Sequence, residues 1–101
     1  MLTSQQRKEL KARAHKLEPV VLVGGKGLTD AVVAEVDLAL KAHELIKVRA
    51  PGLERDQRAL AFAAICERTG SDLVQEVGKV AVLYRKKPDP ADFTFVSHSP
   101  A

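Results

Sequence analysis

A chain of 101 residues with 46% hydrophobic and 29% charged side chains suits one compact domain and excludes the low-hydrophobicity profile of disorder. Its four aromatics (Phe62, Tyr84, Phe93 and Phe95) leave the core to Val, Leu, Ile and Ala. They also argue against an RNA reader that stacks bases on a platform of several aromatics. The net charge of +3 is divided unevenly: residues 1–28 hold six Lys/Arg against two acids, residues 29–77 six against nine, and residues 78–101 four against two.

The first element reads as a helix from about Gln5 to His15, capped by Thr3 with Gln6 or by Ser4. Leu10, Ala14 and Leu17 share one face by the 3.6-residue period, and Arg7, Lys8 and Lys11 form a basic flank beside it. Pro19 opens the run Val20-Val21-Leu22-Val23, stopped by Gly24. A continuous apolar run of that length predicts a strand buried on both faces, as in a parallel sheet. Thr29 is a good N-cap for a helix from Asp30 to about His43, with Val32, Val33, Val36, Ala39 and Leu40 on one face and Asp30, Asp37 and Lys41 on the other.

Leu45 to Arg49 alternates and predicts a strand with one buried face and one basic face that carries Lys47 and Arg49. A third helix spans about Glu54 to Arg68, and its apolar stretch from Ala59 to Cys66 predicts the most buried of the three. Gly70 ends it. Leu73 to Val77 and Lys79 to Arg85 then form a hairpin around Gly78-Lys79, of type II′ because glycine holds its first central position. The order α-β-α-β-α-β-β implies an α/β fold: a small sandwich with right-handed crossovers, largely parallel strands and a terminal hairpin that makes the sheet mixed. Residues 1–87 make up this domain. Residues 88–101 read as a flexible C-terminal tail, with Phe93, Phe95 and Val96 able to dock elsewhere.

The segment Gly24-Gly25-Lys26-Gly27-Leu28-Thr29 joins the first strand to the second helix. Glycines admit positive φ and close approach of backbone to a ligand, and free N–H groups at a helix start attract phosphate. Such parts make the GxxG loop with which KH domains clamp nucleic-acid backbone. A P-loop would need GxxxxGK[ST], and a Rossmann fingerprint would need a glycine three residues beyond Gly27; both fail on spacing. From the residues alone, a tight strand–helix turn with an incidental lysine remains an equal reading.

Other chemistry is thin. The single Cys66 cannot form an internal disulfide and reads as a small core residue in a reducing compartment. His43 continues the apolar face of the second helix and is expected to be packed or capping, His15 sits at a helix end, and His98 lies in the tail. No metal-ligand spacing and no nucleophile with an adjacent base is present, so neither cofactor nor catalytic residue is expected. Without an apolar signal core near the N-terminus or a run of roughly 18 apolar residues, a cytoplasmic location is the expectation.

Four spaced blocks carry a resemblance: Leu17-Glu18-Pro19-Val20-Val21-Leu22-Val23-Gly24-Gly25-Lys26-Gly27-Leu28-Thr29, Glu44-Leu45-Ile46-Lys47-Val48, Thr69-Gly70, and Gly78-Lys79 with Val82-Leu83-Tyr84-Arg85. In this order they resemble the CRM domain (chloroplast RNA splicing and ribosome maturation), specifically its single-domain bacterial YhbY-like members, across Thr3 to Arg85. The resemblance implies a four-stranded mixed sheet like that in the C-terminal domain of bacterial translation initiation factor three. It implies RNA as the partner, through the GxxG loop and neighbouring basic surface, and association with ribosomal RNA of large-subunit precursors during ribosome assembly. Carried over by position, Gly24 and Gly27 are the motif glycines and Gly25 and Lys26 the variable pair. With Thr29 and the patch residues Arg7, Lys8, Lys11, Lys47 and Arg49 they form the expected RNA-binding set; Arg85, Lys86 and Lys87 are weaker candidates. The alternative is a protein-interaction module that docks a ribosomal protein or assembly partner through the third helix or Phe93–Val96.

Overall fold

The first helix begins where its cap predicts. In a computed structural model that describes residues 2–86, α1 (Ser4–Ala14) follows a reciprocal cap: Thr3 Oγ1 accepts from Gln6 N at 3.0 Å, and Gln6 Oε1 accepts from Thr3 N at 2.9 Å. Then come β1 (Pro19–Leu22), α2 (Asp30–His43), β2 (Leu45–Arg49), α3 (Arg55–Thr69), β3 (Asp72–Val77) and β4 (Val80–Tyr84). The expected boundary at residue 87 and the tail 88–101, with its docking segment, lie outside the described residues.

The sheet order is β1-β2-β4-β3. Only β1 and β2 pair in parallel; β4 runs antiparallel to both β2 and β3. The sheet is mixed, as expected, and β1, β2 and β3 point the same way; what the sequence did not place is β4, which the tight hairpin puts against β3 and whose other edge pairs with all five residues of β2. In the hairpin turn, Gly78 has φ +56 while Lys79 does not have positive φ, the type II′ pattern. Gly70, left-handed at φ +69, ends α3.

α2 and α3 cover one sheet face, where Val36, Leu40, Phe62 and Ile65 meet Val21, Ile46, Val48, Ala81 and Leu83. Phe62 alone, fully buried, contributes roughly 1.5–3 kcal/mol of transfer free energy. α1 covers part of the opposite face through Leu10 and Ala14 against Leu45, Val74 and Val82. Its 11 residues reach no further, and this shortness exposes the face of β1. The strand expected to be buried on both sides is an edge strand, with Val20 54% and Leu22 60% exposed.

α3 is the most buried of the three helices, as expected: it buries Ala61, Phe62, Ile65 and Thr69, against Leu10 and Ala14 on α1 and Val36 and Leu40 on α2, although Ala59, Leu60 and Ala63 on its outer side are exposed. One smaller expectation is corrected. His43 is exposed, because the core-facing row of α2 ends at Leu40 and the last turn runs past the sheet.

Candidate nucleic-acid interface

Hydrogen bonds bring three chain segments together at one end of the sheet. Val23 N donates to Arg49 O at 2.7 Å, and Ala50 N donates to Lys79 O at 2.8 Å. The loop after β1 therefore sits beside the end of β2, which in turn sits beside the hairpin turn. The loop is closed by Gly27 N donating to Gly24 O at 2.9 Å, and it rests on the Pro51-Gly52 turn: a Cβ at Gly52 would lie 3.4 Å from Gly25 Cα. Lys26, Arg49 and Lys79 thus share one end of the fold.

The glycines of the loop are not equivalent. Gly27 is buried at φ +73 against Leu53, a conformation that L side chains rarely adopt. Gly24 and Gly25 are exposed and have no positive φ, and a Cβ added at either meets nothing within 4 Å among the described residues. Neither backbone conformation nor internal space requires glycine there. A ligand brought close to the loop backbone would.

From this end the open sheet face extends toward α1. The registers Lys47↔Val82, Arg49↔Val80 and Leu22↔Arg49 put Lys47 and Arg49 on the face that α1 only partly covers. A groove of about 570 Å³ runs between α1 and the strands, with Lys11, His15 and Lys47 on its walls, Val80 and Val82 on its floor, and no carboxylate in its lining among the described residues. Lys11 and Lys47, separate in sequence, are therefore joined in one groove. Lys8 is exposed on α1 outside that lining.

Other residues of the expected set have internal tasks. Arg7 Nη1 donates to Leu73 O at 2.7 Å and to Val74 O at 2.8 Å, pinning α1 to the irregular stretch of β3. Thr29 Oγ1 accepts from Val32 N at 3.2 Å and fixes where α2 begins behind the loop. Arg85 Nη1 donates to Asp37 Oδ1 at 2.6 Å and to Thr69 O at 2.8 Å, and Nη2 donates to Asp37 O at 3.1 Å. Arg85 and then Lys41, through their hydrogen bonds, hold the Asp37 carboxyl below its ordinary range. Burial pushes the Cys66 thiol up, against thiolate chemistry. Lys79 is the cation that the sequence pattern did not place in the site; only the β2–β4 pairing, which is long-range, brings it there.

Among the described residues no group of three or more His, Cys, Asp or Glu is arranged to hold a metal ion, and no helix is long and apolar enough to cross a membrane.

Fold and site together define a small mixed-sheet α/β domain with an exposed glycine–lysine loop at one end and Lys47 and Arg49 on an open sheet face. The chain belongs to the CRS1/YhbY (CRM) domain family, which it matches over residues 2–85. It is 46% identical over 84 residues to an RNA-binding protein of Haemophilus influenzae, covering 83% of this chain and 85% of that one. It is 47% identical over 89 residues to a protein of Pseudomonas aeruginosa named a probable RNA-binding protein, covering 88% and 86%. The solution structure of a hypothetical Staphylococcus aureus protein, described as a candidate RNA binder, superposes with a TM-score of 0.78 at 31% identity, over 89% of this chain and 94% of that one.

Proposed function

We propose that this protein is a non-catalytic, cytoplasmic RNA-binding factor that engages ribosomal RNA of large-subunit precursors during ribosome assembly. RNA as the partner rests on family membership and on the relatives named as RNA-binding proteins. The ribosomal target rests on the resemblance to stand-alone bacterial members of the family. Loop amides and Lys26 hold phosphates, and Lys47, Arg49, Lys11 and Lys8 extend the interface along the sheet and α1. Arg7 and Thr29 serve the site by fixing α1 and the start of α2.

The observation that carries this reading is the pair Gly24 and Gly25, glycines the fold does not need, beside an exposed Lys26 at the basic end of the sheet. The test is a filter-binding titration on precursor ribosomal RNA with Lys26→Ala combined with Gly25→Asp. Both positions are exposed, so the variant folds. Affinity falls, and the salt dependence flattens by about one unit of log–log slope for each phosphate that the variant no longer neutralises, a little less on single strands. Unchanged affinity of the folded variant sinks the loop reading. Binding to precursor particles that survives nuclease and high salt would instead indicate a protein partner.

A further inference from the structure

Beside the loop, on the α3 side, lies a shallow pocket of about 410 Å³ that the phosphate-holding role does not use. Its walls are Gly25, Lys26 and Gly27 on one side and Leu28, Leu53, Gln57, Leu60, Ala61 and Ala64 on the other, with no carboxylate among them. Leu53 and Ala61 are buried members of the main core and Leu28 packs against it, so the floor is preformed. Leu60 stands on the rim, 73% exposed, an apolar side chain that contributes little to the core. Gln57 Oε1 accepts from Glu54 N at 3.3 Å, which leaves its amide NH₂ available to a ligand.

One wall of this pocket attracts phosphate and the opposite wall is aliphatic. A ligand that satisfies both carries a flat apolar group one linkage away from a phosphate. We infer that the pocket seats an unpaired nucleobase of the same RNA strand whose phosphates the loop holds, with Leu28 and Leu60 against the ring and the Gln57 amide facing a base edge. The inference rests on the loop reading and narrows the substrate class to single-stranded or bulged RNA. In an A-form duplex the bases are stacked and their edges paired, so none is free to enter. An aliphatic seat holds any base by its faces, and a single amide reads little sequence, so the pocket selects unpaired structure more than base identity.

Binding is measured by fluorescence anisotropy on three ligands of equal length: a single strand, its duplex, and an all-abasic strand that keeps every phosphate. The wild type prefers the single strand over the abasic one by about fivefold, the lower end of what a stacked base contributes, since no aromatic is present. Leu60→Ser removes the rim of the pocket and Ala64→Leu fills it; in both, the preference collapses toward one, while affinity for the abasic strand is unchanged. Lys26→Ala lowers binding to all three ligands and leaves the preference intact. Equal wild-type affinity for normal and abasic strands overturns the base pocket, as does a preference that survives both pocket variants. A Lys26→Ala variant that binds all three ligands like the wild type overturns the loop reading instead, so the two failures are distinct.

Discussion

At the scale of single residues, the loop separates a glycine that the fold requires from glycines that it does not. In the sequence Gly24 and Gly27 are equal members of a GxxG pattern. In the structure only Gly27 has a backbone that demands glycine, at φ +73. Gly27→Ala should therefore cost about 1–2 kcal/mol, the penalty of a left-handed L residue. Gly24→Ala meets open space and removes freedom from the unfolded chain, so it should be neutral or stabilising by up to about 1 kcal/mol. Urea unfolding of the two variants measures the contrast, and equal destabilisation would show that Gly24 also serves the fold. The Thr3 and Thr29 caps were legible, because each acts on a neighbour three residues away, whereas the Glu54–Gln57 cap of α3 was not read. His43 was misread because a helical period continues on paper after the sheet beneath it has ended.

At the scale of elements, all seven were legible in order and type, as was the local β3–β4 hairpin, but the long-range neighbours were not. Val20-Val21-Leu22-Val23 reads correctly as a strand, but whether its second face is covered depends on how far α1 extends, which no local pattern records. The insertion of β4 between β2 and β3 is likewise a long-range outcome. The same limit hid the role of Arg85, a weak RNA candidate in the sequence and a clamp in the structure. It ties the end of β4 to α2 through Asp37 and to the end of α3 through Thr69 O. Arg85→Met should cost about 1–3 kcal/mol at neutral pH, toward the lower end because the Asp37 side chain stays 38% exposed. The Asp37 carboxyl is held below its ordinary value of 3.8, so its stabilisation is complete above that pH and is lost as pH falls through the depressed value. The gap between wild type and Arg85→Met in urea melts should thus narrow on acidification without closing, since the bond to Thr69 O does not titrate. A gap that widens in acid would contradict the ion pair.

At the scale of the whole molecule, the charge pattern of the sequence acquires a shape. The basic helix α1 packs on β3 and β4, whose turn carries Lys79, while β4 pairs with β2. Lys47 and Arg49, drawn from the acidic middle of the chain, lie on the open sheet face. The cations Lys41 and Arg68 lie on the helical side, each paired with an aspartate: Lys41 with Asp37 at 3.2 Å and Arg68 with Asp30 at 2.8 Å. This asymmetry makes a prediction that total charge does not. Replacing Lys11, Lys47 and Arg49 by Gln should flatten the salt dependence of RNA binding by about two to three units of log–log slope, at roughly 0.7–0.9 for each phosphate no longer neutralised. Replacing Lys41 and Arg68 by Gln removes two charges from the other side and should leave the slope where it was. Binding titrations across a range of salt concentrations separate the cases. If both variants flatten the slope in proportion to charge removed, RNA senses only the net charge of the protein. If the open-face variant alone does so, the strand follows a track from α1 across the sheet to the glycine loop.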